Sequence, residues 1–199
     1  MFPDFLENPS DVAAPLLLGC TLTRTITLNG EKHKLVARIV ETEAYDQDDP
    51  ASHAFGGPSE RNAAMFGPAG HLYVYVSYGM HHCCNVVCGP EGFGSGCLVR
   101  AVEPLEGVEV MRELREAGRA RKRPLKLRDF TNGPGKVCAA LGIDKGLYGH
   151  DLTVEPLVLD FTPLLPGETI GSSPRVGISK NVDAPKRFFI EENVFVSRA

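Results

Sequence analysis

Asparagine followed by glycine at positions 29 and 30 constrains this chain more than any other pair of residues in it. An Asn-Gly pair accepts the positive φ angles of a type I′ turn, whose twist matches that of two antiparallel strands. Before the pair, residues 21–29 alternate through Leu22, Ile26 and Leu28; after it, residues from about 34 to 43 alternate with Leu35, Ala37 and Ile39 on one face. The local pattern therefore predicts a hairpin, and with it an antiparallel sheet.

A second hairpin is predicted further on. From Leu72 to Tyr78 the alternation is sharp, with Tyr73 and Tyr75 on one side and Leu72, Val74 and Val76 on the other. Gly79 breaks it, and Cys83 to Cys88 reads as the partner strand. The run at 89–96 is a turn, followed by a strand over about 97–102. A short helix is predicted over 11–19, capped by Asp11, with Pro15 in its first turn and Gly19 at its end. Another spans 106–117. A third opens at Thr131 or Asn132 with Pro134 near its first position and stops at Gly142. Residues 46–70 form a long loop, and residues 150–199 read as short strands and loops. No internal repeat or linker is evident, so the expectation is one α+β domain over 1–199.

Composition narrows the setting. No stretch approaches the roughly 20 apolar residues that span a bilayer, and the opening MFPDFLENPSDV has no basic flank or apolar run typical of a signal peptide. A cytoplasmic protein with no membrane association and with its six cysteines reduced is expected. The net charge of −4 gives no hint of nucleic acid. The positive charge is unevenly placed, however. Arg119, Arg121, Lys122, Arg123, Lys126 and Arg128 follow one another with no acid among them. Such a run is either a solvated loop or a phosphate-contacting segment.

Three groups of residues carry candidate chemistry. Glu41 and Glu43 lie two apart on one strand, so alternation puts both on the same face and does not choose between them; each is either an acid–base group or a solvated strand-end carboxylate. His81, His82, Cys83, Cys84 and Cys88 form a dense set of potential ligands. Their spacing does not make a zinc site, and adjacent strand residues point to opposite faces, so no metal is expected. Tyr45, Tyr73, Tyr75 and Tyr78 sit beside the predicted turns, where a binding surface for a flat ligand and ordinary strand packing are both open. There is no phosphate loop, nucleophile elbow or dinucleotide fingerprint.

These segments resemble the alkyladenine (3-methyladenine) DNA glycosylase family. The resemblance rests on RIVETEAY (38–45), a histidine at 53 after an acidic loop, the 25-residue stretch from Arg61 to Asn85 containing LYVYVSYGM, and LVRAVEPLEG (98–107). Weaker echoes are NGPGKVCAALGI (132–143) and RVGIS (175–179). The resemblance implies one mixed α+β domain with a curved, mainly antiparallel sheet, flanking helices and a protruding hairpin. It also implies hydrolysis of the N-glycosidic bond of alkylated or deaminated purines in double-stranded DNA, by a monomer that needs no cofactor.

Residue by residue, it implies that Glu43 activates the water, helped by Arg100 and the main-chain carbonyl of Val176. Tyr45, His53 and Tyr75 would sandwich the extruded base, and Asn85 would disfavour the 2-amino group of guanine. Tyr78 would fill the gap left in the duplex, with Leu98 and Met80 at pocket or minor-groove positions. Arg121, Lys122, Arg123 and Lys136 are the expected phosphate contacts. No lysine nucleophile is required, so base removal without strand cleavage is expected. His81 and His82 follow the hairpin tip, where their protonation would make DNA binding depend on pH. The alternative is a non-catalytic nucleic-acid or purine-binding domain of the same fold, against which the presence of both Glu43 and Arg100 argues.

Overall fold

The computed structural model describes residues 4–117 and 124–198. Within them, eight antiparallel strands make one sheet that curls into a half-barrel, and three α-helices pack around it. The strands are β1 (Thr21–Leu28), β2 (Glu31–Asp46), β3 (Leu72–Ser77), β4 (His81–Val87), β5 (Ser95–Glu106), β6 (Leu157–Asp160), β7 (Ile170–Ser173) and β8 (Arg187–Ile190). Their order is β3-β4-β5-β2-β1-β6, with β7 joined to β8 and β8 pairing with β2. The helices are α1 (Ser10–Leu16), α2 (Val108–Glu116) and α3 (Pro134–Leu141). None is long and apolar enough to cross a membrane.

The first hairpin forms where the Asn-Gly pair predicts it. Asn29 and Gly30 have φ of 52° and 86°, and Leu28 pairs with Glu31 across the turn. The return strand is longer than expected, beginning at Glu31 and running to Asp46. The long loop after it is punctuated by a 3-10 turn at Ala63–Phe66.

The helix ends differ from the sequence reading. α1 is preceded by Pro9, with no side-chain cap, so Asp11 lies in the first turn and does not cap it. Pro15 sits inside α1, which stops one residue later and well before Gly19. Gly19 serves elsewhere: its φ is +94°, and a Cβ there would lie 2.9 Å from the Thr162 carbonyl oxygen. α3 does open on Pro134 and close on a left-handed Gly142 (φ 58°), but its N-cap is Gly133. The hydroxyl of Thr131 is committed to the carbonyl of Val102.

The main core lies between one face of the sheet and the helices, with Leu35, Ala37, Ile39, Val99, Phe130 and Leu141 among its buried members. One feature of β2 decides what the other face presents. Ile39 pairs with Val102, Glu41 with Ala101 and Thr42 with Val99, so β2 carries an extra residue at Val40 and β5 an extra one at Arg100. A one-residue insertion in one strand reverses which side chains face the core. Leu35, Ala37 and Ile39 face inward before the bulge, Val40 and Ala44 join the same core after it, and Thr42 donates to the carbonyl of Ala14 in α1. Without the bulge, strict alternation would drive Glu41 and Glu43 into that apolar core.

Candidate active site

The residues across the half-barrel align in one row. Glu43 on β2 pairs with Leu98 on β5, Leu98 with Asn85 on β4, and Asn85 with Tyr73 on β3. Period-two alternation then brings Tyr45, Cys83 and Tyr75 to the same side. Together with Arg100, the loop at Pro50–His53 and the segment Val176–Lys180, they line a cleft of about 600 Å³. Glu43, Arg100, Val176, Tyr45, His53, Tyr75, Tyr78, Asn85 and Leu98 all border it. Met80 stands outside, on the hairpin tip.

Both glutamates are completely buried, which excludes the reading of solvated strand-end carboxylates. Their partners separate them. Glu41 is saturated: it accepts from Arg100 Nε at 2.9 Å, Arg187 Nε at 2.7 Å, and the backbone N–H and hydroxyl of Ser197 at 2.6 and 2.7 Å. It does not line the cleft. Glu43 accepts from the Tyr45 hydroxyl at 2.8 Å and the Val176 N–H at 2.8 Å, and its Oε1 lies 3.3 Å from Arg100 Nη1. Glu43 faces the cleft.

Burial raises the pKa of the Glu43 carboxyl above its ordinary 4.5; Arg100, the Val176 N–H and the Tyr45 hydroxyl pull the other way, and Glu41 adds to the rise. Desolvation thus makes this carboxylate more basic than a solvated one, while three donors favour its charged form. Burial pulls the Arg100 guanidinium down, but Glu43 and Glu41 more than offset it and hold it firmly charged. Arg100 is the bulged residue of β5, and that irregularity lets one guanidinium bridge two carboxylates on the neighbouring strand.

The walls are aromatic. His53 meets the Tyr75 ring edge-on at 4.5 Å, and its Nδ1 lies 3.0 Å from the Tyr73 hydroxyl. Burial, with a contribution from Arg61, lowers the His53 pKa below its usual 6.5, so the ring is neutral at neutral pH. Tyr73 stacks on Tyr75 at 5.6 Å and is itself buried, with its pKa pushed up to about 12. Almost all of its surface is covered, although it too borders the cleft. Asn85 is buried, with its amide 3.5 Å from the Tyr73 carbonyl. Desolvation raises the Cys83 thiol to about 11, so the sulfur in the cleft is protonated at neutral pH. Among the described residues, no three His, Cys, Asp or Glu side chains gather in a metal-holding group.

The second hairpin projects two large apolar side chains into solvent. Met80 N–H bonds to the Ser77 carbonyl at 3.2 Å, and Tyr78 and Gly79 between them have φ of 49° and 70°. Tyr78 is 85% exposed and Met80 72%. A tyrosine in the left-handed region is strained by about 1–2 kcal/mol, and here it gains little packing in return. Below the tip, a neighbouring cleft is lined by His81, Arg115 and Lys136, and shares Pro134 with the first. The Lys136 ammonium donates to Asn132 at 2.6 Å. Arg121, Lys122 and Arg123 lie outside the described residues.

No local sequence signal marks Glu41 as the anchor of Arg100, or Arg187 and Ser197 as its other partners. Asp49 and Arg175 form a further buried ion pair of 2.7 Å between the loop after β2 and the segment carrying Val176. Arg175 opens the weaker echo RVGIS, so a signal was there; nothing local tied Asp49 to it.

The family model described as methylpurine-DNA glycosylase (MPG) matches residues 4–194. A protein of Nitrosospira multiformis is 47% identical over 98% of this chain and 92% of its own length. One of Methanoculleus marisnigri is 44% identical over 98% and 96%, and one of Carboxydothermus hydrogenoformans 43% identical over 94% and 93%. All three are provisionally named 3-methyladenine DNA glycosylase.

Proposed function

Because the chain belongs to the methylpurine-DNA glycosylase family, we propose that it removes alkylated or deaminated purines from duplex DNA by hydrolysing the N-glycosidic bond, with Glu43 as the base that activates water. The observation that carries this reading is a fully buried carboxylate with a raised pKa at the end of an aromatic cleft. Arg100 and the backbone of Val176 flank the water, and the negative charge of Glu43 stabilises the cationic character that develops on the sugar.

A purine inside a duplex is out of reach of such a cleft, so the nucleotide is rotated out, at a cost of a few kcal/mol that is least for a damaged pair. Tyr78 enters the gap and offsets part of the lost stacking. Tyr45, His53 and Tyr75 hold the base. N-alkylated purines are cationic, and aromatic faces attract them by about 0.5–2 kcal/mol; a neutral His53 adds no opposing charge. Asn85, fixed at the cleft floor, blocks the 2-amino group of guanine. Attack comes from water and not from an amine, so the product is an abasic site with the strand intact.

The test is base release from duplexes carrying hypoxanthine or 1,N6-ethenoadenine, comparing the native chain with Glu43→Gln. Release by the native chain and loss in the variant is expected. Equal release by both overturns the role of Glu43, and binding without release by the native chain favours a non-catalytic domain.

A further inference from the structure

Arg175 has no place in the water-activating group, yet it ties together β2, the loop that follows it and the segment that carries Val176. Its side chain is completely buried. Nη1 lies 2.7 Å from Asp49 Oδ2, on the loop that carries His53. The same nitrogen donates to the carbonyl of Ala44 at 2.9 Å, between Glu43 and Tyr45 on β2. The guanidinium carbon sits 4.6 Å from the centroid of the Tyr45 ring. The next residue, Val176, gives its N–H to Glu43.

Two of its nitrogens, Nε and Nη2, are buried without a hydrogen-bond partner among the described residues. Leaving buried N–H groups unmet is costly. An apolar side chain would avoid that cost, and the contacts that set the guanidinium apart are made by its plane and its charge. What it faces is the Tyr45 ring, and a cation against an aromatic face is attractive. Asp49 keeps the charge in place. Burial alone would raise the Asp49 carboxyl, but Arg175, the Ala51 N–H and Asn181 more than offset this and hold it below the usual carboxylate range.

We propose that Arg175 is a positioning residue that acts through Tyr45: braced by Asp49, it backs the Tyr45 ring, and so fixes both the wall offered to the flipped base and the phenol hydroxyl on Glu43. The inference rests on the role given above to Glu43 and Tyr45. It predicts consequences that loss of stability alone does not. The Tyr45 hydroxyl is one of the donors that pulls the Glu43 pKa down, so a Tyr45 released from Arg175 leaves Glu43 more basic. The other titratable groups around this pair, among them Glu41 on β2, Tyr75 on β3, Arg100 on β5 and Arg187 on β8, all remain when Arg175 is replaced.

The test has two readouts. In single-turnover base release from hypoxanthine duplex, Arg175→Met is expected to be about ten- to a hundredfold slower, the scale of a misplaced wall, and its acid limb moves to higher pH. In a Tyr45→Leu background, the same substitution costs less than about twofold. Arg175→Lys keeps the charge on Asp49 without the flat plane; it stands in where the methionine variant does not fold, and is expected to show the same dependence on Tyr45. An equal cost in both backgrounds, or an unmoved acid limb, overturns the proposal.

The second readout needs no activity. The chain has five tyrosines and no tryptophan, so aromatic-ring NMR resolves Tyr45, identified by the signal lost in Tyr45→Phe. Its resonances shift in the Arg175 variants while those of Tyr148 stay. An unmoved Tyr45 signal overturns the proposal even if the native chain releases base. An inert native chain whose Tyr45 signal does move supports the brace and overturns the glycosylase reading instead.

Discussion

Among single residues, the sharpest contrast is between two glutamates two positions apart. Glu41 is a structural counter-ion shared by Arg100 and Arg187, and it accepts two hydrogen bonds from Ser197. Removing one partner from a buried ionic network costs about 3–5 kcal/mol, because the remaining charges stay buried and unpaired. Glu41→Leu is therefore expected to lower the urea midpoint sharply, and a variant as stable as the parent would contradict the network. Glu43→Gln behaves in the opposite way. With its folded pKa above the unfolded value, the folded state binds protons more readily, so Glu43 costs stability as pH rises through the window above 4.5. The glutamine variant is expected to melt no lower than the parent at pH 7, while base release falls by about 10²–10⁴-fold. The same raised pKa places the acid limb of base release in the parent above pH 4.5; a rate still flat below that value would exclude Glu43 as the titrating base.

At the scale of elements, the β3–β4 hairpin and the β2 bulge do different work. The hairpin ends in a strained, solvent-exposed tyrosine. Since Tyr78 packs against little, Tyr78→Ala is expected to leave the melting temperature within about 1–2 °C, as surface changes usually do. Base release from duplex should fall markedly, and release from single-stranded DNA much less, because only the duplex has a gap to fill. A parallel fall on both substrates would remove Tyr78 from duplex opening. The bulge acts on direction. By adding Val40 to β2 it turns Glu43 and Tyr45 away from the core and toward the cleft, and by adding Arg100 to β5 it aims a guanidinium at both carboxylates.

For the whole molecule, an acidic chain must bind a polyanion. Its net charge of −4 opposes DNA at long range, and on the proposed function Lys136 and the run at 119–128 are the candidate phosphate contacts. Replacing Arg121, Lys122 and Arg123 together by glutamate is expected to weaken duplex binding at low salt. The slope of log affinity against log salt should flatten by about 0.9 for each phosphate that is no longer neutralised. An unchanged slope would show that this run is only a solvated segment.

Much of the sheet could be read directly from residue order. The Asn29-Gly30 turn, the β3–β4 hairpin and the left-handed stop of α3 at Gly142 all follow from local φ preferences and side-chain periodicity, which act over a few residues and need no partner. The resemblance pointed to Glu43, Tyr45, His53, Tyr75, Asn85, Leu98, Arg100 and Val176, and folding brings these eight to the border of one cleft. What periodicity alone could not decide was which glutamate faces that cleft, or that either could escape the apolar side of β2. That depends on the register between β2 and β5, which is fixed by strands about 60 residues apart in sequence packing as a unit. The bracing of Tyr45 by Arg175 and Asp49 is of the same kind. Asn29-Gly30 determines that a hairpin forms there, but only the curled half-barrel determines what its long second strand presents to the cleft.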